Sequence, residues 1–178
     1  MTRSSPAAGG GTAASHLFWS VIAGTRERQW VTTANFTSGP AFIEVLCAAA
    51  GRGVDVRILG NGRHIDKAVV RRASQSSYGA LLEAGVRMFE YQRTMLHAKV
   101  LIAGGWANIG SSNFDHRSFG LDDELNVAFS DPGLVSELEK HFLADLDESE
   151  EMDLHRWRAR PLHRRVVEHA GDLARQSF

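Results

Sequence analysis

The residues best suited to do chemistry in this chain are His97 and Lys99, in the segment Leu96-His97-Ala98-Lys99. The apolar run that follows predicts a strand over residues 98–103, and side chains two residues apart in a strand point to the same face. An imidazole that can act as a nucleophile or carry a proton would therefore lie beside a fixed positive charge. His-x-Lys alone is a weak signal, because it also occurs by chance at the end of a surface strand.

A second polar group, Gly110-Ser111-Ser112-Asn113, follows a short strand and turn later, and Glu124 comes after it. Ser111 and Asn113 share a face by the same two-residue rule, and they supply a hydroxyl and an amide donor. The small residues let the backbone approach a ligand closely. In-line attack on a phosphodiester needs a nucleophile and donors aimed at the charge on the non-bridging oxygens. The two groups together predict such a site around one imidazole.

At this point the chain resembles the phospholipase D superfamily, whose motif is written H-x-K-x4-D…G-S-x-N…E. The matching residues are His97, Lys99, Gly110, Ser111, Asn113 and Glu124. The flanking segments GVDVRIL, YGALLEAGVRMFEY, MLHAKVLI, WANIGSSNFDHRSF and LDDELNV are similar to bacterial cardiolipin synthases. There the resemblance is to the second of two motif domains, and it covers the chain from about residue 17 to the end.

The resemblance implies a role for each motif residue. His97 would form a phosphohistidine or protonate the leaving group, and Glu124 would hydrogen-bond one imidazole nitrogen to fix its orientation. Lys99 and Asn113 would hold the phosphoryl oxygens, with Ser111 as a weaker neighbour. The family uses no metal, and we expect neither a metal nor a cofactor here.

Two departures from the family pattern stand out. Lys99 is followed by Val100-Leu101-Ile102-Ala103-Gly104-Gly105, so the motif aspartate is absent from a loop that is one residue short. Its role in the family is mainly structural, and its loss would cost about 1–3 kcal/mol if it satisfies buried donors. In addition, the chain has one motif where the family's site needs two histidines. The second would come from a twofold-related chain or from a missing half of a longer enzyme.

A smaller departure lies just before the motif, where Gln92-Arg93-Thr94 replaces the Pro-Gly that is frequent in the family. Arg93 is interpreted as a solvated loop residue, with a phosphate contact as the alternative. His116 lies near the motif and is expected to be structural or exposed.

The function predicted on this basis is a phosphatidyltransferase of cardiolipin synthase type, acting on phospholipid phosphodiesters through a phosphohistidine. The alternatives are a homodimeric phosphodiesterase or nuclease, and an inactive half-enzyme remnant. The 20 basic and 21 acidic residues leave a formal net charge of −1. Without a dense Lys/Arg stripe, this balance counts against nucleic acid as a partner. A phospholipid substrate and a homodimer or partner chain are expected.

Strands and helices alternate in the first half of the chain, which indicates an α/β domain. Strands are predicted over residues 29–34, 54–59, 86–91, 98–103, 107–110 and 124–129, and helices over 16–23, 40–50, 66–83 and 132–146. A tight turn at Gly104-Gly105 adds an antiparallel hairpin. We therefore predict a single phospholipase D-like domain with a mixed β-sheet flanked by helices on both faces.

The predicted organisation is a flexible tail over residues 1–14, the domain with its one motif over 15–150, and a helical extension over 151–178. The extension holds an acidic run and then five arginines over residues 156–165. It is either a solvated helix packed on the domain or a basic face for anionic lipid. With one cysteine and no apolar run long enough to span a bilayer, we expect a cytoplasmic protein with peripheral contact at the inner face of the membrane.

Overall fold

The central feature of the fold is a mixed β-sheet that contains three adjacent parallel strands. A computed structural model of the chain describes residues 2–4, 13–34, 36–37, 39–64, 75, 77–115 and 124–160. In chain order the elements are β1 (Thr2–Ser4), α1 (Ala13–Gly24), β2 (Arg28–Thr32), β3 (Phe36–Thr37), α2 (Pro40–Gly51), β4 (Asp55–Asn61), α3 (Tyr78–Glu83), β5 (Arg87–Tyr91), β6 (Val100–Ala103), β7 (Trp106–Gly110), β8 (Phe114–Asp115), β9 (Glu124–Phe129), α4 (Pro132–Asp147), β10 (Ser149–Glu151) and α5 (Leu154–Arg158).

Within these residues, eight strands form one sheet in the order β1-β9-β7-β6-β2-β4-β5-β10. Strands β2, β4 and β5 run parallel, as expected where helices connect them. Strands β6, β7, β9 and β1 add antiparallel pairs on one side, and β10 adds one on the other. Strands β3 and β8 form a separate parallel pair. The predicted mixed sheet is confirmed.

One face of the sheet is covered by α1, α2 and α3. In α2, Phe42, Leu46 and Ala49 are buried at spacings of three and four residues, which places them on one side of the helix. They join the buried side chains of α1 and α3 in a single hydrophobic cluster with β2, β4 and β5. This cluster forms the larger part of the core.

The opposite face is covered by α4. Its Val135 and Phe142 are buried, and the Phe142 ring stacks on Trp30 of β2 with ring centroids 5.1 Å apart. The helix begins where the Asp131 carboxylate accepts a hydrogen bond from the Leu134 backbone N–H at 2.9 Å. Helices therefore lie on both faces of the sheet, as predicted. No helix of the described residues is long and apolar enough to cross a membrane.

The observed boundaries differ from the predicted ones in several places. The strand predicted over residues 98–103 begins only at Val100, because residues 92–99 have no regular secondary structure. Of the helix predicted over 66–83, Tyr78–Glu83 is helical, and residues 65–74 and 76 lie outside the described residues. Within the predicted tail, Thr2–Ser4 form β1 against β9 and α1 begins at Ala13, whereas residues 1 and 5–12 lie outside the described part.

The described part of the C-terminal extension packs on α3. The rings of Trp157 and Tyr78 have centroids 5.3 Å apart, and Arg158 donates to the Glu83 carboxylate at 2.7 Å. This agrees with the interpretation of a helix packed on the domain, up to residue 160. Residues 161–178, which include Arg164 and Arg165, the last two of the five arginines over residues 156–165, lie outside the described residues.

Acidification should destabilise the fold partly through Asp55. Burial raises the pKa of this carboxyl, but the hydrogen bonds from Arg57 at 2.9 Å and Trp30 at 3.0 Å, with the charges of Arg57 and Arg87, outweigh it and hold the pKa below its ordinary value. A carboxyl with a lowered folded-state pKa stabilises the fold above its unfolded pKa and loses that contribution as the pH falls through the folded value.

We expect Asp55→Asn to cost no more than about 1 kcal/mol near neutral pH, because the pair is partly exposed. The variant should lose less stability than the native chain between neutral pH and about pH 3. Urea unfolding followed by Trp fluorescence at both pH values measures this difference. An equal loss in both proteins would contradict the assignment to Asp55.

Candidate active site

The candidate site lies where the irregular segment 92–99 enters β6, beside the turn that follows β7. His97 is exposed on this segment, whereas the Lys99 side chain is 7% exposed. The Lys99 ammonium lies 2.9 Å from Nδ1 and 3.2 Å from Nε2 of the His97 imidazole. The predicted pairing of an imidazole with a fixed cation is therefore present in the structure.

The reason predicted for this pairing was wrong. Because β6 begins at Val100, His97 and Lys99 do not share a face of a strand. The Lys99 side chain instead folds back along its own segment, where its Nζ also donates to the His97 carbonyl oxygen at 2.8 Å. A buried ammonium costs free energy unless its hydrogen bonds are satisfied, and these contacts contribute to satisfying them. The cation is thus held beside an imidazole that remains open to solvent.

Ser111 and Glu124 form a second pair. Ser111 follows the last residue of β7, and its hydroxyl donates to the carboxylate of Glu124, the first residue of β9. The same hydroxyl accepts from the Leu125 N–H at 3.0 Å, and the Ser111 N–H donates to the Leu125 carbonyl at 3.0 Å. The predicted hydrogen bond between an imidazole and Glu124 stays a prediction, since here the carboxylate accepts from the Ser111 hydroxyl.

Gly110 allows β7 and β9 to approach each other at this point. A Cβ added at Gly110 would lie 2.5 Å from the Leu125 carbonyl oxygen and closer still to the Asn126 side chain. The Gly110 N–H also donates to the Lys99 carbonyl at 3.2 Å. The glycine of the motif therefore connects the His97–Lys99 pair to the Ser111–Glu124 pair through the backbone.

Asn113 is half-buried, and its position is set by the next residue. The Phe114 ring is buried against Phe18 and Phe42, with centroids 5.3 and 5.4 Å away. The Phe114 N–H donates to the Thr33 hydroxyl at 3.2 Å. This anchor fixes the backbone on the C-terminal side of Asn113, in the turn that leaves β7.

Sequence reasoning missed the buried polar residues that support these segments. Asn61, 7% exposed at the end of β4, hydrogen-bonds the backbone of Leu96. Asn126, 1% exposed, donates to the Ser112 hydroxyl at 2.7 Å. Asn61 lies beyond the strand predicted over residues 54–59, and no spacing rule connects it to Leu96, so the sequence carried no signal for it.

Of two further predictions, only the one for Arg93 falls on a described residue. Arg93 is exposed and lies 3.7 Å from the Glu148 carboxylate, which fits the solvated loop residue that was predicted. His116 lies outside the described residues.

Among the residues that are described, no group of three or more His, Cys, Asp and Glu side chains is arranged to hold a metal ion.

The Ser111 hydroxyl should support the site without being essential to it. Ser111→Ala removes the contact to Glu124 and the acceptor for the Leu125 N–H. We expect a loss of about 1 kcal/mol in unfolding free energy and a fall of about tenfold in any activity of the site. Urea unfolding and rate measurements check this, with the exposed Ser20→Ala in α1 as the matched control. An inactive Ser111→Ala chain of native stability would instead place this hydroxyl in the chemistry.

The fold and the spacing of these residues define a phospholipase D-like domain. The structure of a phospholipase D family member, Nuc from Salmonella typhimurium, aligns with a TM-score of 0.70 at 22% identity, covering 82% of this chain and 93% of that one. A phosphatidylserine synthase from Haemophilus influenzae aligns with a TM-score of 0.73 at 13% identity, covering 97% of this chain and 46% of that one. At these identities the likeness concerns the fold.

Comparison of the sequence assigns the chain to one family within the phospholipase D-like proteins. Residues 19–146 match the family described as cardiolipin synthase, PLD-like domain, and the chain belongs to this family. Cardiolipin synthase 2 of Bacillus anthracis is 40% identical over 154 residues, which are 86% of this chain and 30% of that protein. A cardiolipin synthase of a Geobacillus species is 38% identical over 159 residues, 89% of this chain and 32% of that protein. The chain thus spans about a third of the length of the curated relatives it matches.

Proposed function

We propose that this chain supplies one half of the active site of a phosphatidyltransferase of cardiolipin synthase type. The observation that carries the proposal is the exposed His97 imidazole with the buried Lys99 ammonium 2.9 Å away. This pair lies in a domain 40% identical to cardiolipin synthase 2 of Bacillus anthracis.

The proposed chemistry has two displacements at phosphorus. An imidazole nitrogen of His97 attacks the phosphorus of a phospholipid phosphodiester, a nitrogen–phosphorus bond forms, and the phosphorus–oxygen bond to the leaving alcohol breaks. A second histidine gives its proton to the leaving oxygen. The same histidine then takes the proton of the acceptor alcohol, whose oxygen attacks phosphorus and releases His97.

Lys99 and Asn113 are proposed to hold the non-bridging oxygens. Charge builds on these oxygens in the transition state, so donors already in position stabilise it more than they stabilise the substrate. Lys99 is suited to this because the residue is buried and its ammonium is held by hydrogen bonds to His97. Glu124, joined to Ser111, is proposed to orient an imidazole when the site is complete.

We propose that the second histidine comes from another polypeptide segment, because this sequence contains one His-x-Lys motif. A homodimer would bring two His97 residues to a shared cleft, whereas a missing half would supply a separate motif. Since the chain covers 30% of the Bacillus anthracis relative, a partner segment of similar size is compatible with that protein's length.

The oligomeric state and the activity are tested together. Light scattering gives the mass, and transfer is followed with phosphatidylglycerol vesicles carrying a labelled phosphate. Native chain and His97→Gln are mixed in equal amounts and allowed to exchange partners, and the activity is compared with that of the same total amount of native chain. If two identical chains share one site, about a quarter of the activity should remain, because only pairs of two native chains are complete. Half would remain if each chain acted alone. A monomer without activity, not activated by a segment bearing the second motif, would overturn the proposal and favour an inactive remnant.

A phosphodiesterase of another substrate class is the second candidate. It is favoured by the alignment with Nuc, in which one copy of this chain covers 93% of that chain. The same preparations are therefore incubated with single- and double-stranded DNA. Cleavage of DNA that depends on His97, without transfer between phospholipids, would select this alternative.

A lipid substrate also requires contact with a membrane surface, and we propose peripheral binding at its inner face. Flotation with vesicles of phosphatidylglycerol and phosphatidylcholine measures it. Failure to co-float at low ionic strength would remove this part of the proposal, because electrostatic attraction to anionic lipid is strongest there.

A further inference from the structure

We propose that Asn61 is a positioning residue for His97, acting by clamping the backbone of Leu96. The proposal rests on the proposed function, since it concerns how that function's nucleophile is held. Asn61 is the last residue of β4, and Leu96 immediately precedes His97 in the irregular segment before β6.

The carboxamide of Asn61 makes three hydrogen bonds to backbone groups. Its Nδ2 donates to the Leu96 carbonyl at 2.9 Å and to the Ala34 carbonyl at 2.8 Å. Its Oδ1 accepts from the Leu96 N–H at 2.6 Å. Both donor hydrogens and the acceptor are used, so this side chain ties the segment after β2 and the segment before β6 to the end of β4.

The need for such a clamp follows from the lack of regular structure over residues 92–99. Buried backbone N–H and C=O groups require partners, and no strand supplies them at Leu96. Leu96 is 8% exposed, and its side chain packs in the hydrophobic cluster that includes Leu59 and Phe89. Asn61 therefore does for Leu96 what a neighbouring strand would do, because it pairs with both of its backbone groups.

The consequence for the site is that His97 is exposed but attached to fixed backbone on both sides. On the N-terminal side, the Leu96 peptide groups are held by Asn61. On the C-terminal side, the His97 carbonyl accepts from Lys99 at 2.8 Å. A solvent-exposed nucleophile without such anchors would sample many positions, and misplacement by about 1 Å can cost on the order of a hundredfold in rate.

Asparagine is chemically specific here. Asn61→Asp keeps the acceptor for the Leu96 N–H but places an oxygen against the two carbonyls that Nδ2 now bonds. Asn61→Leu removes all three hydrogen bonds at similar volume. A protonated aspartic acid regains one donor, so the defect of Asn61→Asp should lessen at acidic pH.

The clamp is first tested in the native chain by amide hydrogen exchange. The Leu96 N–H should be strongly protected although it lies in a loop, and Asn61→Asp at neutral pH should speed its exchange by about tenfold or more. The ring resonances of His97, assigned with His97→Gln, should shift or broaden in Asn61→Asp, and their difference from the native chain at the same pH should shrink on acidification. An unprotected Leu96 amide in the native chain overturns the proposal even if every variant fails to fold.

A matched control is Gln29→Leu. Gln29 is fully buried, and its side chain donates to the Ile22 carbonyl at 2.5 Å. It is the second residue of β2, at the end of the strand opposite to Thr32. Gln29→Leu should destabilise the fold. It should leave the His97 resonances unchanged, and it should leave the exchange of the Leu96 amide unchanged relative to that of other loop amides. Equal effects of Gln29→Leu and Asn61→Asp on these two readouts would reduce Asn61 to a general stabilising residue.

Activity adds a third readout where transfer is observed. We expect kcat of Asn61→Asp to fall about tenfold to a hundredfold with a much smaller change in KM, because orientation rather than binding is lost. An increase in KM with an unchanged kcat would contradict a positioning role. If the native chain shows protected Leu96 but no transfer with any partner segment, the proposed function fails while the clamp stands.

Discussion

Replacing His97 with Gln is expected to lower phosphatidyl transfer by on the order of 10⁴-fold or more, because the proposed covalent intermediate cannot form without the imidazole. The measurement is the transfer rate with labelled phosphatidylglycerol vesicles, together with trapping of phosphate on the protein under alkaline quench. The label should appear on the native chain and be absent from the variant. The fold should be unaffected, since His97 is exposed.

His141→Gln is the matched control for this prediction. His141 is also exposed, but it lies on α4. Its substitution should leave transfer within about twofold of the native rate, as for surface positions away from special features. If His97→Gln retained a tenth or more of the native activity, the centre of the proposed site would be elsewhere.

Lys99→Met is expected to have the second largest effect, a loss of about 10²–10³ in kcat. Lys99 is 7% exposed, so methionine can replace its buried stem while removing the charge beside the imidazole. Stability should not fall in proportion, because removing a buried ammonium also removes the cost of burying it. Single-turnover rates and urea unfolding of the same preparations separate the two effects.

Lys140→Met provides the comparison at an exposed lysine. Lys140 lies on α4 and pairs with Glu137 at 2.6 Å, and exposed pairs of this kind contribute little. Lys99→Arg keeps the charge but replaces a compact ammonium by a planar guanidinium, so it should recover only part of the activity. Full activity in Lys99→Met would show that the cation does not stabilise the transition state.

The general architecture was predictable because periodic patterns report burial on one face. The buried positions Phe42, Leu46 and Ala49 repeat at helical spacing, and the predicted helix over residues 40–50 corresponds to α2. The hairpin of β6 and β7 was signalled by its glycine turn, where Gly104 has a φ of +58°. Such signals are local, so a single segment is enough to show them.

The detailed geometry at His97 was not predictable in the same way. The apolar run suggested that the strand began before Lys99, but residues 92–99 remain irregular. Their backbone is held by a side chain 35 residues earlier in the chain, through the bonds from Asn61 to Leu96. Strand propensity describes neighbours along the chain and cannot anticipate a hydrogen bond of this kind.

The residue types and their spacing determined the family and the set of candidate site residues, since His97, Lys99, Ser111, Asn113 and Glu124 were all named from the motif. Only the tertiary structure decided how they pair: Lys99 folds back to its own imidazole, and Ser111 engages Glu124. The physical reason is that a motif specifies which groups are present, whereas their contacts depend on the pairing of β7 with β9 and on the hydrogen bonds between the end of β4 and the segment before β6. An imidazole open to solvent beside a buried cation is a property of that packing.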